Sequence, residues 1–466
     1  MYLLKLPTFL LLLFIKLSTV KSQENGIGKF EEVFAWKQLT YNFNGVLLQK
    51  DTDAEIDVTR QKRQSDYIFY NTQFKTEAIR NQRPVTSQTT IRPTDDESGR
   101  FFIRYNNVPM GVERVGSRVF VTVPRRRYGI PSTLNYIDLA AERNNRSPAL
   151  KPYPSVQGAK TLTSVYRTRA DSCGRLWMVD TGLLELPNNP QQLQPPAIVV
   201  FDLRTNEQIL KYEFKAADIP ADNTPTGLAS ITVDIIDNNC ADTYAYIPDL
   251  TTFGIIVYSL RENDSWRLSH SYFHFNPTAG NLRISGQWFQ WSDGIFSITL
   301  AGSSRCKIAY FHPLISTTEF SVSTCLLTNR TASEDPNYWE NYNILGDRGE
   351  NSQCTMHSYH EGSNVMFFAD IGRDAVSCWN SGQSLRPSNV IVLARDSKRM
   401  SYPSDLHVTD DEVWFMANTL PRFGYSMLDT NEDNFFVYNQ VENLNVADVE
   451  SNTPSSDHLL LKKRFH

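Results

Sequence analysis

The sequence predicts an all-β protein, a six-bladed β-propeller closed by an N-terminal strand. Two observations carry this. A phrase of exposed turn, apolar strand and small polar stop recurs six times, and no convincing helical period interrupts it. A third observation, a lone alternating stretch near the N-terminus, supplies the closure.

The phrase is clearest at CGRLWMVDTG, from Cys173 to Gly182: a turn at Gly174-Arg175, a strand from Leu176 to Val179, and a stop at Asp180-Thr181-Gly182. Its copies are RVFVTVP from Arg118, RLWMVDT from Arg175, TYAYIPD from Thr243, GIFSITL from Gly294, NVMFFAD from Asn364 and EVWFMAN from Glu412. Each follows another short strand: Met110 to Glu113, Ser164 to Thr168, Ile231 to Asp234, Gln287 to Gln290, Thr355 to Tyr359 and Asp405 to Val408. Further β runs follow at Leu134, Ile198, Ile255 and Val390. Hairpins that gain a third and often a fourth strand, six times over, make the blades of a propeller spanning 101–440.

Such a ring must hide the edge between its first and last blades, and one terminus lending a strand to the other's blade is the usual device. Phe30 to Phe43 alternates well enough to fill that place beside Asn434 to Asn439. Between it and the first blade, residues 45–99 turn polar and are expected to form a mobile insertion. Within them Arg60-Gln61-Lys62-Arg63 fits both a processing site, with Arg60, Lys62 and Arg63 as its basic residues, and an uncut basic loop. Residues 1–22 read as a signal peptide, because the apolar run Phe9 to Ile15 is too short to span a bilayer. Residues 441–466 read as a polar tail.

Composition narrows the function. A net charge of -5 with interspersed signs leaves no basic footprint for nucleic acid. No membrane span and no cofactor are expected. The six cysteines lack CxxC or metal-ligand spacing and read as disulfide partners in a secreted chain. Cys173 and Cys240 hold equivalent positions in neighbouring blades, Cys306 and Cys325 flank one hairpin, and Cys354 and Cys378 remain as a third pair. Asn145, Asn263 and Asn329 open sequons for glycosylation.

Longer phrases add a resemblance. NNVPMGVERVGSRVFVTVPRRR from Asn106, YGIPSTLNYIDL from Tyr128, SCGRLWMVDTG from Ser172, NCADTYAYIPDL from Asn239, ISGQWFQWSDGIFSITL from Ile284, AYFHPL from Ala309, EFSVST from Glu319 and AVSCWN from Ala375 resemble the yellow and major royal jelly proteins of insects. FAWKQLTYNF is similar to that family's opening strand. The resemblance implies a secreted six-bladed propeller. It also implies one of several roles: cuticle pigmentation, eggshell structure, nutrition, amine binding or dopachrome isomerisation. The long basic insertion and Cys306, Cys325 and Cys354 depart from the family pattern.

No nucleophile elbow, HExxH, phosphate loop or EF-hand is present. His357 and His360, three apart on a strand, point to opposite faces, so no metal site is expected. His270 and His274 read as ordinary histidines of an aromatic stretch. The register is more informative. Loops after the second strand of each blade gather at one end of the channel, which predicts a ring of Pro124, Asp180, Asp249, Leu300, Asp370 and Asn418. Thr181 and the strand starts Thr355 and Asp405 count with it. This ring is expected to hold an amine- or catechol-like ligand, its carboxylates taking an ammonium. The competing reading is that these Asp and Asn side chains bond turn backbone. An isomerase would instead use carboxylates or His357 to move a proton, and a structural matrix protein would use none. Arg125-Arg126-Arg127 reads as a solvated loop or an anion contact, and Trp288, Phe289 and Trp291 as packing between blades.

Overall fold

The computed structural model describes residues 30–53, 97–186, 189–220 and 227–440. The expected signal peptide, the Arg60, Lys62 and Arg63 site and the C-terminal tail lie outside them. Six four-stranded antiparallel sheets form the ring. The first strands of the blades stand around the axis: Gly111–Val115, Val165–Ala170, Thr232–Ile235, Ile295–Ala301, Cys354–His360 and Pro403–Thr409, with close packing between neighbours everywhere but between blades two and three.

Burial peaks in the middle strands of a blade and is lost at its outer edge. In blade two the second strand Arg175–Asp180 is buried at every residue, whereas the fourth, Gln208–Glu213, is largely exposed. The second strand packs a neighbouring blade on each face, so apolar residues fill both faces and the alternation of a half-wet strand is lost. Inner strands approach closely: a Cβ on Gly111 would come within 2.7 Å of the Tyr166 carbonyl, so only glycine fits there.

The last blade is completed by the first strand. Glu31–Trp36 pairs antiparallel with Phe435–Gln440 around one bulge, running from Glu31 opposite Asn439 to Trp36 opposite Phe435. Trp36 is fully buried and its indole N–H donates to the Pro148 carbonyl at 2.8 Å, tying the closing strand to blade one as well.

Three expectations are corrected. In blade four, Ile295–Ala301 is the innermost strand, with Ile308–Pro313 second. Gln287–Gln290 pairs with Asn281–Ile284 in a separate hairpin, so Leu300 lies near the end of the innermost strand, packed against the core between blades three and four, and not in the ring of second-strand ends. The start of the polar insertion is built structure: Val46–Leu48 pairs with Tyr41–Phe43, and Thr52 bridges Phe102.

The third correction concerns the cysteines. Cys173–Cys240 and Cys306–Cys325 are disulfides, with Cα separations of 5.9 and 5.0 Å. Cys354 and Cys378 are buried free thiols. They sit on the first and third strands of blade five, opposite Asp370 and Phe367 of the strand between. Two strand spacings, about 10 Å, exceed the reach of a disulfide. Burial pushes the Cys378 thiol up to about 12 and raises that of Cys354. The sequon residues Asn145, Asn263 and Asn329 are all exposed.

Candidate functional site

The strand-end side chains of the expected ring bond the backbone around them. Asp180 accepts the amide N–H groups of Thr163 at 2.7 Å, Ser164 at 2.8 Å and Gly182 at 3.0 Å. Gly182 takes φ +64, the left-handed turn that brings its amide back. Asp249 accepts from the amides of Gly227, Thr251 and Thr252 and pairs with Arg267 at 3.2 Å. Asp370 accepts from the Ser377 hydroxyl at 2.5 Å, and its carboxyl lies near 6 because burial outweighs Arg373. Asn418 donates to the Pro109 carbonyl and accepts from the Leu420 amide.

Three others are equally engaged. Pro124 is buried, and its carbonyl takes the Arg126 amide. The Thr355 hydroxyl donates to the Pro403 carbonyl at 2.6 Å. Asp405 accepts the Val112 amide at 2.8 Å, with His407 Nε2 at 3.1 Å and Arg167 Nε at 3.6 Å. Of the expected set, Thr181 lines a cavity.

That cavity, about 520 Å³, opens just beyond the strand ends. The loops after the second strands of blades one, two, three and six supply much of its wall, including Arg126, Arg127, Thr181, Glu185, Leu250 and Phe423. The entries to inner strands supply Tyr166, Arg167, Asp293 and Tyr402. Three arginines and two carboxylates therefore face one aromatic-walled space.

The charged groups form a connected set. The Tyr166 hydroxyl donates to Glu185 Oε2, and Arg126 lies 3.8 Å from Glu185 Oε1. Burial alone would lower the Arg126 guanidinium, but Glu185 and its neighbours more than offset this and hold it charged. Burial raises Tyr166 well above the ordinary phenol range, with Glu185 adding to the shift. Burial also pushes the Asp293 carboxyl up to about 6, Arg126 opposing and Glu185 assisting. Tyr402 is pushed up to about 12 by burial.

On the aromatic side, the Trp291 indole donates to the Tyr425 hydroxyl at 2.5 Å, Phe289 stacks on Tyr425 at 4.6 Å, and Arg127 lies 4.2 Å over Phe423. The expectation that Trp288, Phe289 and Trp291 fill a gap between blades is thus corrected: Trp288 is 73% exposed on the small hairpin, Trp291 lines the cavity, and Phe289 stacks on Tyr425.

The group best disposed toward a metal lies elsewhere, between blades four and five. Glu319 faces His312 Nδ1 and His357 Nε2, each at 3.1 Å. Arg348 reaches the same carboxylate at 2.5 Å. A guanidinium thus already supplies the positive charge, and a dication would stand uncompensated beside it in a fully buried site. Burial lowers His312 to about 4, leaving it neutral. These residues fit an internal polar brace better than a metal.

Sequence reasoning passed over Glu185, Asp293, Arg167 and Tyr402. The available signal was the Arg125-Arg126-Arg127 run directly after the first copy of the phrase. Arg125 is held by the Ile130 and Leu162 carbonyls, while the next two arginines reach the cavity.

The fold and this cavity define a class: a six-bladed propeller with a polar, aromatic-walled pocket at one end of its channel. A family model described as major royal jelly protein matches residues 163–453. L-dopachrome tautomerase yellow-f of Drosophila melanogaster is 40% identical over 419 residues, covering 88% of this chain and 91% of that protein. Protein yellow of the same species is 36% identical over 386 residues, 80% of this chain and 66% of that protein. The chain belongs to the yellow/major royal jelly protein family.

Proposed function

We propose that the cavity binds a catechol- or aminochrome-type ring and that the protein converts dopachrome by tautomerisation. One observation carries this: Asp293, with a carboxyl near 6, shares a cavity with the Tyr166, Glu185 and Arg126 chain. Converting an aminochrome to its dihydroxyindole isomer moves protons from saturated ring carbons to the quinone oxygens. The C–H electron pairs enter the ring, so no outside oxidant or reductant is needed. A carboxylate with a pKa one unit below neutrality is mostly ionised at pH 7 and still basic enough to take such a proton. The single hydroxyl proton of Tyr166 is held by Glu185, so the pair frames the ring, and the proton returned to the quinone oxygen comes from solvent. Arg126 and Arg127 suit the carboxylate of an anionic substrate better than an ammonium, which revises the amine-binding expectation toward anionic rings. The likeness to L-dopachrome tautomerase yellow-f supports the same reaction.

The test is the decay of dopachrome colour above its spontaneous rate with purified protein. Asp293→Asn is expected to lose 10²–10⁴-fold in kcat. Because the carboxylate must be ionised to accept a proton, wild-type kcat/KM is expected to fall as pH drops through about 6. A flat profile from pH 5 to 8 would remove Asp293 from the role.

The aromatic rim at Trp291, Phe423 and Tyr425 supports a second reading, a binder without turnover. Stabilisation in a thermal shift by catechols, with no colour decay, would select it. Either activity belongs outside the cell, in colouring or maturing cuticle or eggshell. The apolar N-terminal stretch, two disulfides and exposed sequons support that location. No helix among the described residues is long and apolar enough to cross a membrane.

A further inference from the structure

We propose that Arg167 forms the floor of the cavity as a fixed fork for two adjacent ring oxygens, the pair that a catechol or ortho-quinone carries. This deepens the reading above and rests on it for the identity of the substrate, though not for the binding of the oxygen pair.

Arg167 stands on the inner strand of blade two with its side chain only 1% exposed, yet it lines the cavity. Its guanidinium is held from across the channel. Nε donates to the Ser404 carbonyl of blade six at 3.1 Å, one terminal nitrogen donates to the same carbonyl, and the other donates to the Ala229 carbonyl at 3.0 Å. Asp405 lies 3.6 Å from Nε, and the group sits 4.8 Å over the Phe296 ring. A guanidinium has five N–H donors. Three are committed, which leaves one on each terminal nitrogen with no acceptor recorded among the described residues. Two donors fixed in one plane match two oxygens on adjacent carbons, as they match a carboxylate.

The remaining groups facing Arg167 are consistent with an anion there. Burial lowers its guanidinium, Asp405 opposes this, and Tyr402 and Tyr166 are the other titratable neighbours. Asp405 balances the resting charge only in part, since it also takes the Val112 amide and faces His407.

The assignment gives Arg167 a task in proton transfer. When the base takes a proton from a saturated ring carbon, the C–H pair moves through the ring to a carbonyl oxygen. That oxygen becomes an oxyanion and then, on receiving a proton, a hydroxyl. A donor pair held in advance by Ser404 and Ala229 stabilises the oxyanion without reorganising.

The test uses 4-nitrocatechol, whose visible spectrum reports its ionisation, and indoline-2-carboxylate, which has a carboxylate but no oxygen pair. Wild-type protein is expected to bind 4-nitrocatechol and shift its first ionisation to lower pH. Arg167→Met is expected to weaken that binding at least tenfold and abolish the shift, with a smaller effect on indoline-2-carboxylate. Arg167→Lys keeps the charge without the fork, should fall between the two, and carries the test if Arg167→Met does not fold by circular dichroism. The assignment is overturned if wild-type protein leaves the ionisation unshifted, if both variants bind like wild type, or if only the carboxylate probe is lost. An Arg167-dependent shift without dopachrome turnover would sink the tautomerase reading and leave this one standing.

Discussion

Asp180 shows how one residue can be correctly placed and differently used. Its position in the repeated phrase puts it at the channel end, and three amide donors then absorb its carboxylate. Asp180→Ala would orphan those buried donors. It is expected to cost on the order of 3 kcal/mol in chemical denaturation, since each buried unsatisfied group costs about 1–3 kcal/mol. An intact denaturation midpoint would show that the network is dispensable. The register of the ring was legible because repeats share geometry. The owner of each hydrogen bond was not, because an Asp that caps a turn and an Asp that faces a ligand are the same letter in the same place. The cavity groups fall outside the phrase, Glu185 three residues past its end at Gly182 and Asp293 directly before the copy that starts at Gly294, where loops differ between blades and no repeat marks them.

The first two strands were read correctly in five blades and slipped in the fourth, and in blade five the run from Val390 proves to be the outermost strand, behind Ala375–Asn380. In blade four QWFQ and IFSITL follow one another, each a plausible strand, and alternation alone does not say which meets the axis. Long-range packing decides: Ile295–Ala301 lies against the inner strand of blade five, while the earlier segment folds back on Asn281–Ile284 over the cavity. The cysteines divide the same way. Equivalent turns in adjacent blades bring Cys173 to Cys240, whereas Cys354 and Cys378 share a blade but are separated by a strand. Closing 67 residues of chain, the Cys173–Cys240 bond is worth about 4 kcal/mol of unfolded-state entropy, against about 3 for the 19-residue Cys306–Cys325 loop. Cys173→Ser with Cys240→Ser is therefore expected to lower the denaturation midpoint more than Cys306→Ser with Cys325→Ser. The reverse order would point to local strain or unfolded-state structure as the larger effect.

For the whole molecule, closure is the controlling feature. The closing strand buries Phe34, Ala35 and Trp36 against the last blade. Trp36→Ala is expected to destabilise by about 3–5 kcal/mol through the cavity it leaves and the lost bond to Pro148. Equilibrium unfolding followed by intrinsic fluorescence and circular dichroism would check this, and a cost below about 1 kcal/mol would mean the ring holds without its latch. Closure was legible in the sequence because a ring leaves one strand-shaped vacancy in its last blade and the stretch from Phe30 offers a strand ahead of the first blade.

The pairing of Glu31 with Asn439 also has a meaning in time. A chain emerging from its N-terminus makes its latch first and the partner of that latch last. During synthesis the strand Glu31–Trp36 must wait, apolar and unpaired, until Phe435–Gln440 emerges. The contact spans almost the whole chain, so its loop-closure cost falls late in folding. Assembly of the ring is thereby coupled to the synthesis of Phe435–Gln440. A chain stopped before residue 435 would hold a set of blades with an open edge, the kind of surface that chaperones retain and that aggregates when released.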